Sequence, residues 1–265
     1  MVGSHDLRVL FEDNHCLAVA KPAGLLTMGD RTGDVSVVDL AREYLRRKYD
    51  KSGNVFVGVV HRLDRPVSGV LLLARTSKAA ARLSEQFRKH TVRKIYHCVV
   101  EGRPRQQEGE LVDWLAKNET GNVSRVVASG EGRGARGEEG RRQKAKGSSQ
   151  ETGSRKQKAE DRNAESRKED EKESRLRYRC LQTARGLSLL EIELLTGRSH
   201  QIRVQLASRG MPICGDAKYG SKTKLGGWLA LHASSLTFEH PTRREPIRVT
   251  APLPAEWKRF GFVSR

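Results

Sequence analysis

Cysteine is scarce in this chain. Cys16, Cys98, Cys180 and Cys214 are the four in 265 residues. None falls in a Cys-x-x-Cys pair or in a spaced Cys/His cluster, which argues against a zinc site and against a disulfide framework. Four scattered thiols fit a reducing cytoplasm. Long apolar runs are missing as well. No stretch reaches the roughly 18 apolar residues that a membrane helix requires, and Met1-Val2-Gly3-Ser4-His5-Asp6 has no apolar signal core. The expectation is a soluble, cytoplasmic protein with no membrane partner. There is no phosphate-binding loop. Gly132-Arg133-Gly134-Ala135-Arg136-Gly137 fits the dinucleotide pattern, but no strand precedes it and no amphipathic helix follows, so the match carries no weight.

The largest absence is internal. From Ala128 to Arg175 there is no Val, Ile, Leu, Met, Phe, Trp, Tyr or Cys. Such a tract cannot bury enough apolar area to offset the entropy of ordering it, so disorder is expected. From Glu131 to Arg175 there are 14 Lys/Arg and 11 Asp/Glu, a balance of +3. The whole chain carries 50 Lys/Arg against 32 Asp/Glu, or +18, so the remainder holds +15 (18 − 3). An excess of that size favours a polyanionic partner, most often nucleic acid, through phosphate neutralisation and counterion release.

The flanks read as folded. Leu7 to Ala20 gives two short strands about Asp13-Asn14, followed by a Lys21-Pro22-Ala23-Gly24 turn. Val37 to Lys48 has helical spacing, and Thr76-Ser77 caps a helix running to about His90. Val55 to Val60 and Val70 to Ala74 read as buried strands. Lys94 to Val100 reads as a strand with Tyr96, Cys98 and Val100 on one face. Leu176 to Gln182 and Leu187 to Leu195 form a hairpin about Ala184-Arg185-Gly186. A helix from Ser199 to about Arg209 puts Ile202 and Leu206 on its apolar side. His200, Arg203 and Ala207 lie on a side that could face a cleft, and Gly210 and Pro212 end the helix. Strands outnumber helices and hairpins recur, which favours α+β with a largely antiparallel sheet. No heptad pattern suggests an obligate dimer, so a monomer is expected.

Asp64 is the residue to explain. It sits between two apolar runs and is flanked by Arg62 and Arg65. Taken alone, the placement fits a turn residue or a structural ion pair as well as a placed catalytic charge. Three stretches change that: His61-Arg62-Leu63-Asp64 with Ser68-Gly69, Arg93-Lys94-Ile95-Tyr96, and Thr196-Gly197-Arg198-Ser199-His200-Gln201-Ile202-Arg203. Lys21-Pro22-Ala23-Gly24, Pro212-Ile213-Cys214-Gly215-Asp216 with Tyr219-Gly220, and Leu229-Ala230-Leu231-His232-Ala233 ahead of Phe238-Glu239-His240-Pro241 accompany them.

In that order the set resembles the RluA-type family of RNA pseudouridine synthases, over residues 7 to about 115 and 176 to 256. The resemblance implies the family's mixed, largely antiparallel sheet with flanking helices and a central RNA-binding cleft. It implies isomerisation of uridine to pseudouridine in structured RNA, ribosomal or transfer, with no cofactor and no metal. It places the essential aspartate at Asp64, its cationic partner at Arg203, and the stacking or proton-transfer tyrosine at Tyr96. Arg62 resembles the residue that enters the RNA stack where the target base leaves. His61, Lys94, Arg65, Arg198 and His200 are further candidates for RNA contact, and Leu229 and Leu231 for the pocket wall. Pro66 and Val67 depart from the family, which usually has an acidic or polar residue and then Thr there. A single catalytic domain spanning 1–265 is expected, interrupted at about 128–175, with no N-terminal S4 domain. Two rivals stand beside this reading. One is a non-catalytic RNA-binding or ribosome-assembly factor on the same fold. The other is a hydrolase pairing Asp64 with a second acid such as Asp216.

Overall fold

The computed structural model of the chain describes residues 7–118, 123–127 and 171–262. Among them the elements run β1 Val9–Glu12, β2 Cys16–Lys21, α1 Val37–Lys48, β3 Gly58–Val59, β4 Ser68–Ala74, α2 Ser77–Arg88, β5 Arg93–Glu101, β6 Glu108–Asn118 and β7 Val123–Val127. Then follow β8 Lys172–Ala184, β9 Leu187–Leu194, α3 Gln201–Ala207, a 3-10 turn at Ala217–Tyr219, β10 Leu231–Glu239, β11 Pro246–Thr250 and a second 3-10 segment at Ala255–Phe260. No helix among the described residues is long and apolar enough to cross a membrane.

The strands form one mixed sheet in the order β1-β2-β4-β10-β5-β9-β8-β6-β7, with β11 on β10 and β3 on β4. Every neighbouring pair is antiparallel except β4 with β10. The α+β, largely antiparallel architecture is the expected one.

Two different environments explain the strand compositions. β2 and β4 are covered on both faces, so they read as continuous apolar runs. Leu17, Val19, Leu71 and Leu73 pack with Val37, Ala41 and Leu45 of α1. Cys16, Ala18, Val70 and Leu72 pack with Ala79 and Leu83 of α2. Both helices start on side-chain caps. The Ser36 Oγ accepts the Asp39 N–H while the Asp39 carboxylate accepts the Ser36 N–H, and the Thr76 Oγ1 accepts the Ala79 N–H at 3.2 Å, which satisfies donors the helices leave unpaired. In β5, β8 and β9, by contrast, one face joins the core through Cys98, Leu176, Cys180, Leu190 and Ile192. The other face carries cross-strand ion pairs: Arg93 with Glu193, Arg175 and Arg177 with Glu110, and Arg179 with Glu191.

Three expectations need correction. The Val55–Val60 run is a strand only at Gly58–Val59. β3 pairs with β4 only at Leu73 and Ala74, and the next β4 donor, the Leu72 N–H, is taken by the His61 ring instead of a strand carbonyl. The apolar-free tract does not reach Arg175 as an unstructured segment, because β8 begins at Lys172. Backbone pairing of Lys172 to Arg175 with Leu115 to Val112 of β6 orders it without apolar side chains. The rest of that tract, 128–170, lies outside the described residues, and with it the expectation of disorder. The helix expected from Ser199 to about Arg209 is Gln201–Ala207 and is buried from Gln201 through Leu206, not amphipathic. Gly210 has the expected left-handed φ of 72°.

Candidate active site

Asp64 sits on the loop between β3 and β4, and that loop is fixed from three sides. The Lys21 Nζ donates to the carbonyls of Leu25 at 2.7 Å, Pro22 at 3.0 Å and Arg65 at 3.1 Å. The Thr27 Oγ1 donates to the Leu63 carbonyl at 2.8 Å and accepts the Leu63 N–H at 3.2 Å. The Leu229 N–H donates to the Pro66 carbonyl at 3.0 Å. The chain then enters β4 beside β10, where Gly69 has φ +124° and a Cβ would lie 2.3 Å from the Ala233 carbonyl oxygen. Only glycine permits that approach. Lys21 is a clamp, a role that neither its turn nor its place among the matching stretches assigns to it. Burial pushes its ammonium pKa down to about 7, against the opposing pull of Asp64.

α3 supplies the cation. Thr196-Gly197-Arg198 is closed onto the helix start by Gln201, whose Oε1 accepts the Arg198 N–H at 3.0 Å and the Thr196 hydroxyl at 2.8 Å. His200 precedes the helix with a left-handed φ of 54°. One turn on, Arg203 reaches Asp64: its Nη1 donates to Oδ2 at 3.1 Å. The Asp64 side chain is 36% exposed and that of Arg203 only 7%. Arg203 also donates from Nε and Nη2 to Asp216, which is 1% exposed. Burial works against the guanidinium charge, but Asp216 and then Asp64 outweigh it and hold the pKa above its ordinary value.

His200 lies beside the same carboxylate, with Nε2 at 3.6 Å from the Asp64 Oδ2 and Nδ1 at 2.9 Å from the Tyr219 hydroxyl. That hydroxyl accepts the Ser124 N–H of β7 at 2.9 Å. Burial lowers the His200 pKa; Asp64 opposes this and Arg203 and Lys218 add to it. Tyr96, on β5 between Ala233 and Ile192, is half-buried. Its hydroxyl pKa is pushed up by burial first and by the Asp64 charge second, so the phenol stays protonated. Asp64, Arg203 and His200 therefore meet at one place, and the Asp64 charge reaches Tyr96.

The remaining candidates divide. Arg62 is exposed and makes no ion pair among the described residues. Arg198 is half-buried, with Nε donating to the Glu173 carbonyl at 3.2 Å. Arg65 is exposed but turned to the loop, donating to the Gly24 carbonyl at 3.0 Å and pairing with Asp34 at 2.8 Å. His61 serves the fold: its Nε2 accepts the Leu72 N–H at 2.9 Å, its ring stacks on Phe87 at 4.5 Å, and burial drives its pKa down to about 3. Lys94 is buried, donates to the Thr196 carbonyl at 3.3 Å, and has its pKa lowered to about 8 by burial and by Arg198. Leu229 and Leu231 are core residues. A cavity of about 520 Å³ lies behind the loop, lined by Lys21, Ser68, Trp228, His232 and Trp257, and does not include Asp64.

One group of metal-ligating types exists among the described residues: Asp13, Cys16 and His240, with ligand atoms within 4.8 Å of one another. Its geometry is that of a tied turn. The Asp13 Oδ1 accepts the His15 and Cys16 N–H groups at 2.8 and 2.7 Å. The His240 Nδ1 accepts the Arg243 N–H at 3.0 Å, which leaves Nε2 to donate to the Asp13 Oδ2 at 2.6 Å. The Arg243 guanidinium, 3.5 Å from that oxygen, already supplies positive charge, and burial raises the Cys16 thiol pKa to about 12.

Residues 15–208 match the model of the RNA pseudouridylate synthase family. An uncharacterized RNA pseudouridine synthase of Bacillus subtilis, YhcT, is 34% identical over 96% of this chain and 70% of its own length. Ribosomal large subunit pseudouridine synthase C of Pasteurella multocida is 31% identical over 98% of this chain and 68% of its own. The structure of human RNA pseudouridylate synthase domain containing 4 shares the fold, with a TM-score of 0.70 at 21% identity over 95% of this chain and 90% of that one. The chain belongs to the RluA-type family of RNA pseudouridine synthases and is an isomerase.

Proposed function

We propose that the chain isomerises specific uridines in structured ribosomal RNA and that Asp64 is its catalytic carboxylate. The observation carrying this is the contact of a part-exposed Asp64 with a buried Arg203 at 3.1 Å, across 139 residues of chain. A guanidinium in that position pairs with the carboxylate and aims it at a nucleotide in the cleft. The reaction breaks the N1–C1′ bond, turns the base, joins C5 to C1′, moves a proton off C5 and gives N1 a proton. Atoms and electrons balance within the nucleotide, so no redox partner or energy source is required.

Tyr96 provides a ring for the target base to stack on, and its protonated hydroxyl serves in proton transfer. A uridine inside a folded RNA must leave its stack to reach Asp64. Arg62, exposed next to the catalytic loop, is the wedge for that step. Arg198 contacts phosphate, while His61, Lys94 and Arg65 shape the site through their contacts with the fold. The ribosomal choice follows the relatives named as large subunit synthases.

The non-catalytic assembly factor gains nothing from a placed Asp64-Arg203-Tyr96 set. The hydrolase reading needs Asp216 as a second working acid, yet Asp216 is buried and both its oxygens are taken by Arg203. Incubation with ribosomal and transfer RNA tritiated at uracil C5 tests the proposal. Wild-type release that vanishes in Asp64→Ala supports it. Preserved RNA binding with no release from any RNA favours the assembly factor.

A further inference from the structure

Arg203 has five N–H donors in a rigid fork, and the structure divides them unequally. Asp216, 13 residues later in the chain, takes Nε at 2.7 Å and Nη2 at 2.8 Å, a two-point fork pair. The Tyr219 ring lies over the guanidinium, 5.1 Å from centroid to Cζ. Three N–H groups remain, two on Nη1 and one on Nη2, and of these nitrogens Nη1 alone donates to Asp64, at Oδ2. Among the described residues the second Asp64 oxygen, Oδ1, has no hydrogen bond.

Asp216 is built to hold this position. Its N–H donates to the Ile213 carbonyl at 2.9 Å, and its own carbonyl accepts the Tyr219 and Ser221 N–H groups at 3.0 Å each. The preceding Gly215 has φ +90°, and a Cβ there would lie 2.4 Å from the Trp228 carbonyl oxygen. The backbone at Asp216 is therefore fixed independently of its side chain.

We propose that Asp216 is a positioning residue for the reaction: by gripping Nε and Nη2 it fixes the orientation of the guanidinium so that Nη1 alone meets Asp64, and Oδ1 is left for the nucleotide. This rests on the reading of Asp64 as the catalytic carboxylate. A guanidinium released from Asp216 has one other carboxylate in reach, and the favoured geometry of such a pair is two-point. Arg203 would then cover both Asp64 oxygens. Asp216 also shares the positive charge, so the three groups together keep a net negative charge for Asp64 to use.

A purely structural role, balancing the charge of a buried Arg203, is the competing account, and two variants separate the two. Asp216→Asn keeps the shape and removes the charge and one acceptor. Asp216→Glu keeps the charge and shifts the fork by one methylene. Single-turnover tritium release is measured on an RNA that the wild type modifies, with RNA affinity and the melting transition measured alongside. Both variants are expected to lose about 10- to 100-fold in rate, the cost of a small misplacement at a reacting centre, while RNA affinity stays within about twofold. If Asp216→Asn does not fold, Asp216→Glu decides alone. A folded Asp216→Glu protein within about twofold of the wild-type rate overturns the inference, because charge balance would then suffice. Wild-type protein that releases no tritium from any RNA instead removes the reading of Asp64 beneath it.

Discussion

The Arg203 Nη1 donates to the Asp64 Oδ2 at 3.1 Å, joining a helix near the C-terminal end of the fold to a loop near its start. Arg203 is almost wholly buried, whereas Asp64 keeps a third of its side chain open to solvent. The pair is thus dry on one side and reachable on the other, which is the combination a charged group needs to be both held and used.

Replacing Arg203 with Ala strands Asp216 as an unpaired buried carboxylate. Removing one partner of such a pair costs about 3–5 kcal/mol. Urea unfolding of Arg203→Ala should show a loss of that order, together with loss of tritium release. Unchanged stability would mean that the Arg203–Asp216 pair is not formed in solution.

Tyr96→Phe keeps the ring and removes the hydroxyl. If the hydroxyl takes part in proton transfer, pseudouridine formation falls about 10²- to 10⁴-fold, while stacking keeps RNA affinity near the wild-type value. A wild-type rate in Tyr96→Phe would remove the hydroxyl from the chemistry.

Acid should destabilise the fold well above the carboxylate range. His61 and His232 have folded pKa values pushed down by burial to about 3 and about 4, from 6.5. Their unfolded forms take up protons that the folded forms refuse, so the stability they carry is complete above pH 6.5 and is lost as pH falls toward 4. Each contributes up to about 1.4 kcal/mol per pH unit within that window. Urea midpoints measured from pH 7 to pH 4.5 should fall steadily, and less steeply in His232→Asn. A flat profile would contradict the burial of these two rings.

Arg62→Ala separates extrusion from chemistry. A wedge matters only where a base must be drawn out of a stack. The variant should be slow on a folded RNA and near wild type on a short unstructured oligonucleotide carrying the same uridine. Equal losses on both would make Arg62 a phosphate contact, as would loss of affinity with a shallower salt dependence.

Much of the fold is legible in the sequence. The Thr76 cap, the α1 spacing and the alternation of β5 follow from local chemistry, and local chemistry decided those elements. The Asp64–Arg203 contact follows motif order rather than any periodicity. Other contacts between segments were not legible. Nothing in the composition of Lys172 to Arg175 reads as strand, because the ordering force is backbone pairing with β6. Val55 to Val60 carries strand residues, yet at Leu72 the His61 ring takes the β4 N–H that a longer strand would need. Lys21 and Asp216 do their work at carbonyls and a guanidinium brought up by other parts of the chain. The clearest sequence signal for Asp216 was a glycine before it, whose necessity shows only beside Trp228.

Nucleoside analysis of digested RNA tests the role of Asp64 most directly. After incubation with wild-type protein, each uridine lost should reappear as one pseudouridine, and Asp64→Asn should form none while still binding RNA. Pseudouridine formation by Asp64→Asn, or uridine consumed by the wild type without pseudouridine appearing, would contradict the account.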